Sequence, residues 1–244
     1  MERINELQKP FKSEAKTIKE ELNLYSIVVY TIGIFIARAM PVFGLAPFGI
    51  SFLTTQRRFS VRSAICFLTV CIGYGSLLDI EIALKYILSA TAYMGFLFIT
   101  GKDEEETGAV TAVSAAGISI ALGRTCAMIW TGFSAGETLL LLCDVALSVI
   151  CGYAFNKTRM LVNGRKSCLY SMNKEEKLCF ILISAIALLG FKSLCIKGFF
   201  YSANVIGIWI TVVFALCGGG GSGALCGVAV GLVLGFGDNI IEYV

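Results

Sequence analysis

Residues 217–236 read CGGGGSGALCGVAVGLVLGF, with glycine at Gly219, Gly223, Gly227, Gly231 and Gly235, every fourth position. On a helix, residues four apart lie on one face. That face carries no side chains, while Leu225, Val228, Val230, Leu232 and Val233 cover the rest. In water such a helix is weak, because each interior glycine costs about 0.8–1 kcal/mol relative to alanine. In a bilayer, helices associate by close backbone approach, which small residues four apart permit. The stretch therefore predicts a membrane helix with a glycine-zipper packing face.

The rest of the chain agrees with a membrane setting. Its 244 residues are 57% hydrophobic and 15% charged, against about 25% charged in soluble domains. The mean hydropathy is +0.80. The expected fold is all-α, a polytopic transmembrane helical bundle with about nine membrane segments. Their expected spans are 24–40, 42–55, 62–79, 82–100, 108–131, 136–156, 178–195, 199–217 and 221–238, each near the ~20 residues that cross a bilayer. Pro41 and Pro47 interrupt the chain around the second segment. Residues 24–55 thus read either as two spans or as a span plus a re-entrant hairpin, whose irregular backbone would need protein or water around it.

Two parts, residues 1–23 and 239–244, lie outside the membrane domain of 24–238, which includes the cytoplasmic loop 157–177. Residues 1–23 lack the apolar core of a signal peptide. They carry Ile4, Leu7, Phe11, Ile18 and Leu22 at helical spacing, which suits a cytoplasmic amphipathic juxtamembrane segment. The loop 157–177 is basic, and residues 239–244 form a short end.

Lysine and arginine set the orientation. They concentrate in the N-terminal segment, in the connection holding Arg57, Arg58 and Arg62, and in the loop 157–177; with Lys102 of the acidic connection 101–107 these make 15 of the 20 basic residues. Nine segments and a cytoplasmic N-terminus place all four regions on the cytoplasmic side. That requires an even number of crossings between 24 and 55.

A few charges fall within the apolar segments. Arg38 near the outer end of the first segment and Lys85 near that of the fourth suit snorkelling, and Glu81 is spaced to pair with Lys85. Arg124 and Asp144 each lie about 10–12 Å below the outer end of their spans at 1.5 Å per residue. A short loop makes those spans antiparallel neighbours, so a buried Arg124–Asp144 pair is expected to fix helix pairing. Glu137 is expected at the boundary, solvated.

Enzymatic signals are missing from the pattern. The chain has no His, which excludes His-dependent triads and His-based metal sites. The ten Cys form no CxxC and mostly sit in apolar runs, as small buried hydrophobes do. Gly218, Gly220, Gly223 and Asp238 match the letters of a dinucleotide fingerprint, but that motif needs a preceding strand and a βαβ unit. No catalytic, cofactor-binding or metal residue is expected, and no nucleic-acid partner.

Four stretches, in order, resemble the N-terminal membrane region of the stage II sporulation protein E family. They are Ala37-Arg38-Ala39 with Ala46-Pro47-Phe48-Gly49 and Arg57-Arg58; Ala121-Leu122-Gly123-Arg124 with Asp144-Val145-Ala146-Leu147-Ser148; Lys174-Glu175-Glu176-Lys177 leading to Leu188-Leu189-Gly190; and Gly218–Gly223 running to Gly231-Leu232-Val233-Leu234-Gly235. The resemblance implies a membrane anchor that precedes a cytosolic linker and a PP2C-type serine phosphatase domain using Mn or Mg. It also implies residence at the asymmetric division septum, association with division proteins and with itself, and dephosphorylation of an anti-sigma factor antagonist that frees the forespore sigma factor. The linker and phosphatase parts have no counterpart in these residues, so the chain is expected to be a truncated product or fragment whose glycine face has lost a neighbouring span. A small-molecule permease is the alternative, resting on the Pro and Gly breaks with Arg38, Arg124 and Asp144.

Overall fold

The computed structural model describes residues 24–41, 44–77, 79–100, 108–158, 173–192 and 202–236. The expected amphipathic segment 1–23, the acidic connection 101–107, most of the basic loop 157–177 and the end 239–244 lie outside the described residues.

Among those residues the chain is helical, with no strand. In order the helices are α1 (Leu24–Arg38), α2 (Phe48–Leu53), α3 (Val61–Gly75), α4 (Ile80–Thr100), α5 (Ala109–Thr131), α6 (Ala135–Lys157), α7 (Lys174–Lys192), α8 (Ser202–Gly218) and α9 (Gly220–Phe236). Helices α4, α5 and α6 are long and apolar enough to cross a membrane, and α1, α3, α8 and α9 carry shorter apolar stretches.

Local chemistry sets the ends. Ser60 and Ser63 form a reciprocal capping box at α3. Asp79 Oδ1 accepts from the N–H groups of Glu81 and Ile82 and starts α4, while Ser134 accepts from Glu137 N–H and starts α6. Each side-chain oxygen satisfies donors that a helix start leaves unpaired. Gly132, with φ +92, closes α5, a conformation that glycine reaches without steric cost. Among the described ion pairs none joins Glu81 to Lys85.

The second expected segment, 42–55, is not a full-length helix. It condenses to the six residues of α2, because Pro41 follows α1 and Pro47 stands at the α2 cap. The chain nevertheless returns to the end it started from. Gly49 sits beside Ala37, and Gly33 beside Phe52, so this segment runs antiparallel to α1. It then follows α4 downward: Ala46 meets Tyr86, Gln56 meets Tyr93, and Phe59 packs edge-on to Phe98. Every residue of α2 is buried, and the helix touches α1, α3, α4, α5 and α6.

The remaining helices alternate in direction. Gly123 of α5 lies against Lys85 and Ser89 of α4, and Gly152 of α6 against Val113 of α5. Lys157 at the end of α6 pairs with Glu175 at the start of α7. Phe35 and Phe191 stack at 3.5 Å, which puts the ends of α1 and α7 together. Helices α8 and α9 form a tight hairpin packed on α7. Arg57 and Lys157 therefore share one end of the bundle, and Arg38 and Lys192 the other.

Large apolar side chains cover the outside, with Trp130 92% exposed and Leu216 80% exposed. A surface of this kind suits an apolar medium. The cysteines divide in the same way. Cys66, Cys151 and Cys226 are buried as expected, whereas Cys126, Cys143 and Cys217 face outward.

Candidate functional site

Several of the polar groups buried in this apolar bundle meet at Asp144. Its side chain is fully buried on α6. Arg124 of α5, 4% exposed, places Nε 2.5 Å from Asp144 Oδ2. The contact is an ion pair without hydrogen-bond alignment, since Arg124 Nε has no geometric partner. On its other side Arg124 Nη1 lies 3.6 Å from Glu137 Oε2, and the Glu137 side chain is one-third exposed at 33%. Glu137 is thus not simply solvated, as its boundary position implied. It is seven residues before Asp144, two helical turns, and so lies on the same face.

A second partner reaches Asp144 from α4. The Tyr86 hydroxyl donates to Asp144 Oδ2 at 2.7 Å and accepts from Ala46 N–H at 2.8 Å. Tyr74 of α3 donates to the Ala46 carbonyl at 2.8 Å, and the two tyrosine rings stack at 5.2 Å. Both backbone groups of Ala46 are thereby satisfied by side chains. This matters because the chain is not helical there, and an unpaired buried backbone group costs on the order of several kcal/mol in an apolar medium.

Further along α6 the polar contacts continue. Ser51 Oγ donates to the Ser148 carbonyl at 3.2 Å. Asn156 Nδ2 donates to Thr54 Oγ1 at 3.0 Å, and Arg57 Nη2 donates to Asn156 Oδ1 at 3.2 Å. A polar seam thus runs along α6 from Glu137 to Asn156, and its part from Ser148 to Asn156 lies against α2 and its continuation. Nineteen residues of rise, about 28 Å, separate its ends. The tyrosines, Ser51, Ser148 and Asn156 escape a sequence reading because single polar residues in apolar helices resemble ordinary core. Their spacing on α6, with Asp144, Ser148 and Gly152 four apart, is the signal that was available.

Arg38, expected to snorkel, donates from Nη1 to Ser76 Oγ at 3.0 Å and ties α1 to the end of α3. Pro41 lies just past α1, and the Pro47 carbonyl accepts from Ser51 N–H at 3.1 Å. Gly44 between them has φ +72.

The glycine row divides. Gly219 is not part of the helical face. It is the one-residue link between α8 and α9, with φ +83. Gly223 faces α8 so closely that a Cβ there would lie 2.5 Å from Ala215 Cβ, and one at Gly227 would lie 3.4 Å from Thr211 Cγ2. At Gly231 and Gly235 nothing lies within 4 Å. The reason is periodic: a repeat of four on a 3.6-residue helix turns about 40° per step, so the row rotates off α8.

An apolar groove of about 610 Å³ opens between α1, α7 and α8, bordered by Ile32, Phe191 and Trp209. Among the described residues no group of three or more Cys, Asp or Glu is placed to hold a metal ion.

No curated protein and no solved structure matches the chain. A family model described as the SpoIIE N-terminal domain matches residues 1–241. The order of the stretches around Arg38, Arg124, Lys174 and Gly218 and the all-helical apolar bundle agree with that match, and the chain belongs to the SpoIIE N-terminal domain family.

Proposed function

We propose that this chain is the membrane anchor and assembly region of a SpoIIE-type protein. The observation that carries this reading is the family match over residues 1–241 on a bundle whose α4, α5 and α6 can each cross a bilayer. In this reading the bundle is multi-pass. The end holding Arg57 and Lys157 faces the cytoplasm, where basic residues collect. The anchor holds a cytosolic PP2C-type phosphatase domain at the division septum, and that domain dephosphorylates the anti-sigma factor antagonist. The exposed Gly231 and Gly235 are the contact for self-association. The Arg124–Asp144 pair fixes how α5 and α6 meet.

Two measurements test it. A fluorescent fusion produced at the onset of sporulation should collect at the asymmetric septum; uniform membrane fluorescence would defeat septal targeting. Cysteine substitutions at Arg58 and Arg38 should react with impermeant maleimide from the cytoplasmic and outer sides respectively. The opposite pattern would invert the orientation.

A small-molecule permease is the second reading, favoured by one observation: a broken, fully buried segment beside intramembrane charges, an arrangement that transporters use. Solute uptake by purified protein in liposomes separates the two.

A further inference from the structure

We propose that the core of the bundle holds a bound water molecule between Asp144 and Ser148, making this point of the seam a hydration site. Asp144 Oδ1 and Ser148 Oγ are both buried with no hydrogen-bond partner, and both residues are fully buried. An orphaned carboxylate oxygen in an apolar interior is costly. Two such atoms on the same face within one turn point to a shared partner.

Geometry and charge together select the ligand. Residues four apart on a helix have Cβ atoms about 5–6 Å apart. Here the two side chains make no hydrogen bond to each other, and a molecule making two bonds of about 2.8 Å would join them. A metal cation would meet the Arg124 guanidinium already in contact with Asp144. An anion would meet the carboxylate itself. A small neutral molecule that both donates and accepts suits the pair: it donates to Asp144 Oδ1 and exchanges a hydrogen bond with Ser148 Oγ. Water is the smallest such molecule, and buried waters take two to four polar partners of this type. The Ser148 carbonyl is engaged by Ser51, so the hydroxyl is the group left for the ligand.

The site completes the solvation of the Asp144 carboxylate. Oδ2 is served by Arg124 and Tyr86, and the bound water serves Oδ1. This inference does not depend on the proposed anchoring role.

Radiolytic labelling in ¹⁸O-water tests it, because bound water converts to hydroxyl radical in place and marks the side chains it adjoins. In the purified chain in nanodiscs, Tyr86, bonded to Asp144, should take up label several-fold faster than Tyr93. Both tyrosines are fully buried, so access of bulk solvent does not separate them. Ser148→Ala should bring Tyr86 down toward the Tyr93 rate while leaving Tyr93 unchanged. Equal labelling of Tyr86 and Tyr93 in the unaltered chain would overturn the proposal, and this comparison stands alone should the variant not fold. Fast Tyr86 labelling that persists in folded Ser148→Ala would also overturn it, since Ser148 would not then be a ligand.

Discussion

Tyr86 joins two elements that sequence separates widely: its hydroxyl donates a hydrogen bond to Asp144 of α6 and accepts one from the N–H of Ala46, just before α2. The non-helical stretch at residues 44–47 and the buried charge on α6 are therefore one feature. The non-helical backbone needs a partner, and the carboxylate orients the phenol that supplies it.

Removing that hydroxyl should be expensive for so small a change. Tyr86→Phe leaves Ala46 N–H unpaired and takes one donor from Asp144. The expected loss is about 1–3 kcal/mol, read as a lower unfolding temperature in detergent. A melting curve unchanged from the parent protein would show that the link carries no stability.

The ion pair should behave as a unit. Asp144→Ala removes the nearer of the two carboxylates beside buried Arg124 and leaves it only Glu137 at 3.6 Å, and the expected loss is up to about 3–5 kcal/mol. Exchanging both residues for Leu or Met of similar volume should cost less than either single change. Strict additivity in this double-mutant cycle would contradict coupling between them.

Glycines in two places should respond oppositely. A Cβ at Gly190 would run into the Phe35 carbonyl, which is backbone and cannot rotate aside. Gly190→Ala should lower stability by at least the ~1–3 kcal/mol of overpacking. Gly231→Ala meets nothing within 4 Å and should be neutral, or stabilising by up to about 1 kcal/mol through helix propensity. Thermal unfolding of the two variants side by side checks the contrast.

Bulk along α9 should separate folding from association. Gly223→Leu should disrupt the α8–α9 hairpin, since Ala215 fills the space opposite. Gly231→Leu should leave the folded chain intact and weaken self-association, measured by cross-linking in membranes. Unaltered cross-linking in Gly231→Leu would remove this face from the assembly.

The legible and illegible parts of the fold differ in kind. The all-helical, apolar character follows from composition and from the length of the apolar runs. Depth along two antiparallel helices puts Arg124 level with Asp144, and the side chains do meet. The two prolines mark residues 41–47 as broken, but no periodicity shows that Tyr74 and Tyr86 would supply the missing hydrogen bonds. That requires knowing which helices surround the break. The glycine row misleads for a different reason. A period of four looks like one face over two steps and drifts by a third of a turn over three, about 120°. Gly219 fits the same period of four, yet its positive φ makes it the turn.

The burial of residues 48–56 among five helices also constrains how the protein is made. A six-residue helix flanked by irregular backbone has no stable place in lipid, where each exposed peptide group lacks a partner. With six residues it is too short to form a span by itself. Helices α3, α4 and α6, which enclose it, all follow it in the chain, so its burial is complete only after they have been made. Correct biogenesis of the N-terminal fifth of the chain thus waits on residues about a hundred positions downstream, such as Asp144, Ser148 and Asn156.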